Sequence, residues 1–160
     1  MRNDDEAKRV IELYSDMVQR LCAVHLKNHS DSEDIFQTVF FKYLLYPEEF
    51  KNEEHEKAWF IRVTINACKD FLKSAYKKKV SPRDILDELL PVAEPEKKEV
   101  LEVVLSLHGK YKDVIYLHYY EGYTASEIGK MLGKKENTVY TLLARGRKLL
   151  EKELGGEYLG

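Results

Sequence analysis

Cysteine, proline and glycine are all scarce in this chain, at two, four and eight residues of 160. Two cysteines are too few for the disulfide framework that holds small secreted domains together. Cys22 and Cys68 each sit among apolar residues at helical spacing, so both read as reduced core thiols. With so few chain breakers, long uninterrupted elements are expected. Apolar residues recur every three or four positions rather than in alternation, which predicts an all-α protein. No apolar run approaches the roughly 20 residues of a membrane span. The start, MRNDDEAKRV, is charged and unlike a secretory leader. The expectation is a cytoplasmic protein without membrane insertion. A glycine-rich phosphate loop and a nucleophile elbow are both missing, so no enzymatic activity and no cofactor are expected.

Net charge is also small, at −2, but the sum hides large local terms of opposite sign. Residues 57–83 hold eight basic side chains against one acid, a net +7. Residues 84–102 hold seven acids against two lysines, a net −5. Residues 130–152 return to +5, with seven basic groups against Glu136 and Glu151. Two basic blocks separated by an acidic one point to two polyanion-facing surfaces.

The hydrophobic pattern divides the chain into helices. Val10, Leu13, Tyr14, Met17, Leu21 and Val24 share a face, which predicts a first helix over about 5–27. Ser30 followed by Glu33 reads as a capping box opening a second helix, with Ile35, Phe36, Val39, Phe40 and Tyr43 as its core face. Residues 46–56, with Pro47 and five glutamates, read as a polar loop, and a third helix is expected over about 55–76. Lys77, Lys78 and Lys79 and the prolines Pro82, Pro91 and Pro95 mark a linker. Helices over about 96–107 and 110–120 follow, and Gly122 suits a helix end that needs positive φ. The result is two small helical domains, residues 1–80 and 97–160, joined by a linker over 81–96.

The C-terminal domain carries a helix-turn-helix over residues 124–150. Thr124 and Glu127 form a capping box before a two-turn helix whose inward positions are Ile128 and Leu132. Gly129 is expected at the closest approach of two crossing helices, and Gly133 as the left-handed residue that starts a tight turn. In the next helix Val139, Leu142, Leu143, Gly146 and Leu150 share a core arc. Asn137, Tyr140, Thr141, Ala144 and Lys148 share the opposite one, flanked by Arg145 and Arg147. Small and hydrogen-bonding side chains with basic neighbours suit a major groove.

The third helix has a different surface. Arg62, Asn66, Lys69 and Lys73 form a narrow stripe with Trp59 at its edge. Phe60, Ile61, Ile65, Ala67, Cys68, Phe71 and Leu72 fill the other side. A basic stripe with an aromatic margin suits a strand whose bases stack outward better than a closed duplex. One further constellation, Cys22, His25 and His29, shares a helix face at a spacing that three zinc ligands could use. Cys22 lies on the core face and no acid stands ready as a general base, so no metal site is expected.

Three segments in this order resemble a bacterial extracytoplasmic-function sigma factor of the sigma-70 superfamily, across about residues 7–154. SEDIFQTVFFKYL resembles the acidic, glutamine-containing helix of the family's second conserved region. AWFIRVTINACKDFLKSAYKK resembles its promoter-melting helix. YKDVIYLHYYEGYTASEIGKMLGKKENTVYTLLARGRKLL resembles the fourth conserved region. The resemblance implies a non-enzymatic initiation factor that binds core RNA polymerase, directs it to promoter DNA and helps melt it. Asp34 and Gln37 would then contact the clamp helices of the beta-prime subunit, with the beta flap as a second polymerase contact. Phe50, Trp59, Arg62, Asn66, Lys69 and Lys73 would meet the melted minus-ten strand, Phe50 and Asn66 lining the pocket of an extruded base. Asn137, Tyr140, Thr141, Ala144, Arg145, Arg147 and Lys148 would read the minus-thirty-five duplex. An anti-sigma factor is a further implied partner. A stand-alone helix-turn-helix regulator is the alternative. It accounts for residues 124–150 but not for the acidic second helix or the basic third.

Overall fold

A computed structural model describes residues 1–26, 28–74 and 95–154, the side chains of 95–99 excepted. The linker expected over 81–96 lies almost wholly outside the described residues. All seven elements among the described residues are α-helices, and the chain divides into two compact units, Met1–Ser81 and Pro82–Gly160.

The described residues of the first unit form three mutually packed helices: α1 (Asp4–His25), α2 (His29–Leu45) and α3 (Glu53–Ser74). Asn3 caps α1 by accepting from the Glu6 N–H, and three acids in the first turn face the positive end of the helix dipole. Val10, Tyr14, Met17, Val18 and Leu21 of α1, Ile35, Val39, Phe40 and Tyr43 of α2, and Trp59, Phe60, Ile61, Ile65 and Cys68 of α3 make the core. Leu13 is a correction to the expected face. It is 49% exposed, because the buried arc of α1 runs through Val18 and Cys22 and leaves Leu13 one step beyond its edge. Leu72 is likewise exposed, on the last turn of α3 beyond the final buried residue, Cys68.

The predicted cap of α2 also changes. Asn28, not Ser30, is the N-cap, accepting from the Asp31 N–H, and Ser30 lies inside the first turn. Glu33 instead reaches back one turn to the His29 ring, 3.3 Å away. The two residues compete for one role, and the earlier amide satisfies the first free N–H groups. The polar loop is shorter than expected, since α3 begins at Glu53, where Asn52 accepts from the His55 N–H.

The second unit contains α4 (Pro95–Ser106), α5 (Gly109–Tyr119), α6 (Ala125–Leu132) and α7 (Glu136–Leu154). Leu101, Val104 and Leu105 of α4 and Val114, Ile115 and Leu117 of α5 are buried, together with Ile128, Met131, Val139, Leu143 and Leu150. The Thr124–Glu127 capping box is complete in both directions, and Gly133 ends α6 at φ 68°, where a side chain would be strained. Gly122, at φ 80°, turns the chain out of α5. Met131 takes the buried place expected for Leu132, which is half-buried. Gly129 does not sit at a helix crossing. A Cβ there would stand 2.7 Å from the Lys134 carbonyl, so the turn itself folds back over the glycine. The crossing belongs to Gly146, where a Cβ would meet Ile115 of α5 at 3.0 Å.

Candidate nucleic-acid interfaces

The reading face of α7 follows from how its other face is buried. Val139, Leu142, Leu143, Gly146 and Leu150 pack inward, and Gly146 lets α5 approach closely. That leaves Asn137, Tyr140, Thr141, Arg145, Arg147 and Lys148 exposed, with Ala144 half-buried among them. Tyr140 is 56% exposed, large for an aromatic side chain. The Thr141 hydroxyl donates to the Asn137 carbonyl one turn back, which orients it along the helix. Arg147 donates to the hydroxyl of Tyr119, at the end of α5, at 3.3 Å. Tyr119 is exposed and was not a candidate. Its spacing in the sequence carries no trace of this neighbour 28 positions away.

In the first unit, Arg62, Asn66, Lys69 and Lys73 are all exposed along one side of α3. Trp59 is a correction, because it does not stand at the margin of this stripe. Only 5% of it is exposed. Its ring meets Phe60 edge-on at 5.1 Å, Tyr46 at 5.2 Å, Phe50 at 5.9 Å and Tyr43 at 6.0 Å. A large apolar ring beside four others gains more from burial than from display. Phe50 is half-buried in the loop between α2 and α3, stacked on Tyr46 at 5.4 Å with His55 against its edge at 5.3 Å. The loop therefore presents a partly open aromatic wall, one side of which is Phe50 and Tyr46. Burial and a hydrogen bond to Glu48 raise the Tyr46 phenol. The charges of Arg62 and Arg2 oppose that rise, so both lie near this wall.

Behind the wall is a buried ionic network that residue patterns did not reveal. Glu56, counted among the loop glutamates, is in the first turn of α3 and almost fully buried. Its carboxylate accepts from Arg9 at 2.9 and 2.6 Å, from the Tyr14 hydroxyl at 2.9 Å and from the Tyr43 hydroxyl at 3.1 Å. One residue thus ties all three helices together. Burial alone would push its carboxyl up, but the Arg9 guanidinium and the two phenols outweigh that and hold it below the ordinary value. The same contacts raise Arg9, and burial with Glu56 raises Tyr14. A buried carboxylate needs this number of partners to stay charged.

Asp34 and Gln37 are exposed on α2. Beyond them on the same side lie Phe41 and Leu45, 58% and 54% exposed. A periodic search for core positions passes over apolar residues that face outward, so this extension was missed. Cys22, His25 and His29 are not brought together as ligands. Cys22 is buried, the His25 ring nitrogen Nδ1 lies 2.9 Å from the Leu21 carbonyl, and His29 is exposed beside Glu33. Both cysteines are buried thiols.

Comparison with known proteins matches the two units separately. Residues 10–78 match the family described as Sigma-70 region 2, and residues 97–150 match Sigma-70, region 4. The RNA polymerase sigma factor SigV of Bacillus subtilis (strain 168) is 32% identical over 142 residues, spanning 88% of this chain and 86% of that protein. The ECF RNA polymerase sigma factor SigW of the same organism is 26% identical, over 95% of this chain and 90% of its own length. Among solved structures, the sigma factor RpoE in complex with the anti-sigma factor NepR from Bartonella quintana is similar, with a TM-score of 0.72. That match covers 94% of this chain and 97% of that one at 14% identity, a likeness of fold.

Proposed function

Since the chain belongs to the sigma-70 family, as an extracytoplasmic-function RNA polymerase sigma factor, we propose that its two units take opposite ends of a promoter. It is a transcription initiation factor that binds core RNA polymerase and directs it to promoters. The stand-alone regulator is not favoured, because it leaves the region 2 match over residues 10–78 without a role. RNA synthesis is the polymerase's chemistry. This chain contributes binding and strain, and it does so in the cytoplasm, where the polymerase works.

The observation that carries the division of labour is that each matched unit presents an exposed basic helix face opposite its core, of distinct chemistry. The duplex reader is α7. Tyr140, Thr141 and Ala144 meet base edges of the minus-thirty-five element, Asn137 lies at the entry, and Arg145, Arg147 and Lys148 hold phosphates. The strand reader is α3. Arg62, Asn66, Lys69 and Lys73 follow the backbone of the melted minus-ten segment, and an extruded base stacks against Phe50 with Asn66 as polar partner. Unstacking a base costs a few kcal/mol, which such a pocket offsets. Trp59 acts from behind, as the support on which Phe50 rests. The domains fall at 1–80 and 97–160, with 81–96 as linker.

Asp34 and Gln37, extended by Phe41 and Leu45, form the docking surface for the beta-prime clamp helices. The region 4-like unit meets the beta flap. An anti-sigma protein is the expected regulator, and the fold match to a sigma factor bound to one supports that expectation. Runoff transcription with purified core polymerase on a promoter library tests the reading. Templated transcripts that require the chain are expected, and failure to bind core would overturn it.

A further inference from the structure

Arg2 stands just ahead of α1, yet its side chain is only 14% exposed. Its Nε donates to the Tyr43 carbonyl at 3.1 Å and its Nη2 to the Glu48 carbonyl at 2.6 Å, while Nη1 pairs with Glu6 at 3.0 Å. Its own backbone N–H donates to the Leu44 carbonyl at 3.0 Å. The guanidinium also lies over the rings of Tyr43 and Phe50, 4.4 and 5.4 Å from their centroids.

These partners belong to two places at once. Tyr43 and Leu44 are in the last turn of α2, where carbonyls lack helical partners and a cation is favoured by the helix dipole. Glu48 is inside the loop 46–52, which carries Tyr46 and Phe50. A planar, always charged fork can bridge two carbonyls and still stack on aromatic faces, which an ammonium cannot do as well. The other hydrogen bonds on this loop are short-range: the Tyr46 N–H to the Tyr43 carbonyl, the Tyr46 hydroxyl to Glu48, the Lys51 N–H to the His55 ring, and Asn52 accepting from the His55 and Glu56 N–H groups, while the Phe50 and Tyr46 rings pack on Trp59 and Phe50 also on Tyr43. Arg2 alone among these connects it to α1.

We infer that Arg2 is a positioning residue for the minus-ten pocket. By capping α2 and gripping the Glu48 carbonyl, it holds the loop 46–52 in the shape that presents Phe50 and Tyr46 to an unstacked base. The inference rests on the proposed role of the first unit. Its physical content is preorganisation: a loop shaped before DNA arrives loses less conformational freedom on binding. Arg2 touches no DNA in this account and acts only through the loop.

Two measurements test it. Hydrogen exchange on the free full-length chain needs no DNA, and Arg2→Ala is expected to speed exchange of amides 46–52 while α1 and α3 keep their protection. In holoenzyme reconstituted with core polymerase, the probe is a forked duplex with the unpaired non-template minus-ten segment of a promoter recovered by library transcription. Arg2→Ala should weaken its binding by about tenfold, the worth of a charged hydrogen-bond pair lost from a partly exposed site, with core affinity unchanged. Arg2→Lys should fall between, since it keeps the cation and one carbonyl contact. Unchanged loop exchange and unchanged fork binding in Arg2→Ala, with Asn66→Ala still impaired, would overturn the inference and leave the pocket standing. If Asn66→Ala also binds the fork normally, the pocket assignment fails and the inference with it. Loss of core binding together with a lowered melting temperature in both Arg2 variants would mark Arg2 as a folding residue and likewise overturn the proposal.

Discussion

The two basic helix faces differ most in what lies behind them. Behind α7 are mainly aliphatic side chains and a glycine, Gly146, against Ile115 of α5, a helix whose one buried carboxyl is Asp113. Behind the α3 stripe are five aromatic rings and a carboxylate with three partners drawn from two other helices. A helix that lies in the groove of a closed duplex needs only to be straight and firmly seated. A surface that accepts an extruded base needs a concave, irregular wall, and irregular backbone must be held by side chains because it lacks a hydrogen-bond ladder of its own.

The sharpest way to break this contrast is to remove the carboxylate that ties the three helices behind the α3 stripe. Glu56→Ala strands Arg9, Tyr14 and Tyr43 and should destabilise the first unit by about 3 kcal/mol. Thermal unfolding followed separately in the two units should show the second untouched. The same residue gives a pH signature. Its folded-state carboxyl lies below the ordinary value, so its stabilisation is full at neutral pH, persists down to the unfolded-state value and is lost as pH falls through the folded one. The gap in melting temperature between wild type and Glu56→Gln should therefore close in acid. A gap that stays constant would remove the network from the account.

Gly129→Ala is the counterpart in the second unit. A Cβ 2.7 Å from a backbone carbonyl cannot be relieved by a side-chain rotation, so the turn must shift, at a cost of about 2 kcal/mol. The duplex contact should weaken while the minus-ten complex on forked DNA holds. Smaller still, Asn66→Ala should reduce binding of the melted strand about tenfold with core affinity intact, as measured on forked DNA. Arg145→Ala should weaken the upstream duplex less than that and lower the salt dependence of binding by about one unit of slope. Equal salt dependence in wild type and variant would take Arg145 off the phosphates.

Much of the second unit was legible because its signals are local. The Thr124–Glu127 box, Gly133 and the alternation of faces along α7 each act within a few residues, where backbone geometry leaves few choices. Even there the partner of Gly129 was misplaced, because a close approach names a need for space without naming what fills it. In the first unit the three helices and most core positions followed from periodicity. Trp59 did not, since a wheel places a residue on a boundary but cannot say that four rings will close around it. Glu56 looked like one more solvated glutamate in an acidic run. Arg2 offered no pattern at all.

The chain by itself determined its all-helical character, its two basic faces and its resemblance to one family, because helix periodicity, caps and charge blocks are written in neighbouring residues. Tertiary structure decided which charges are buried, where Trp59 points and what holds the loop 46–52. The buried charge and the hold on the loop depend on residues 34 to 47 positions apart, such as Arg9 with Tyr43, Arg2 with Glu48 and Arg9 with Glu56, and the Trp59 ring on partners from another helix and the loop. Their meeting is set by how three helices pack, and no local propensity encodes it.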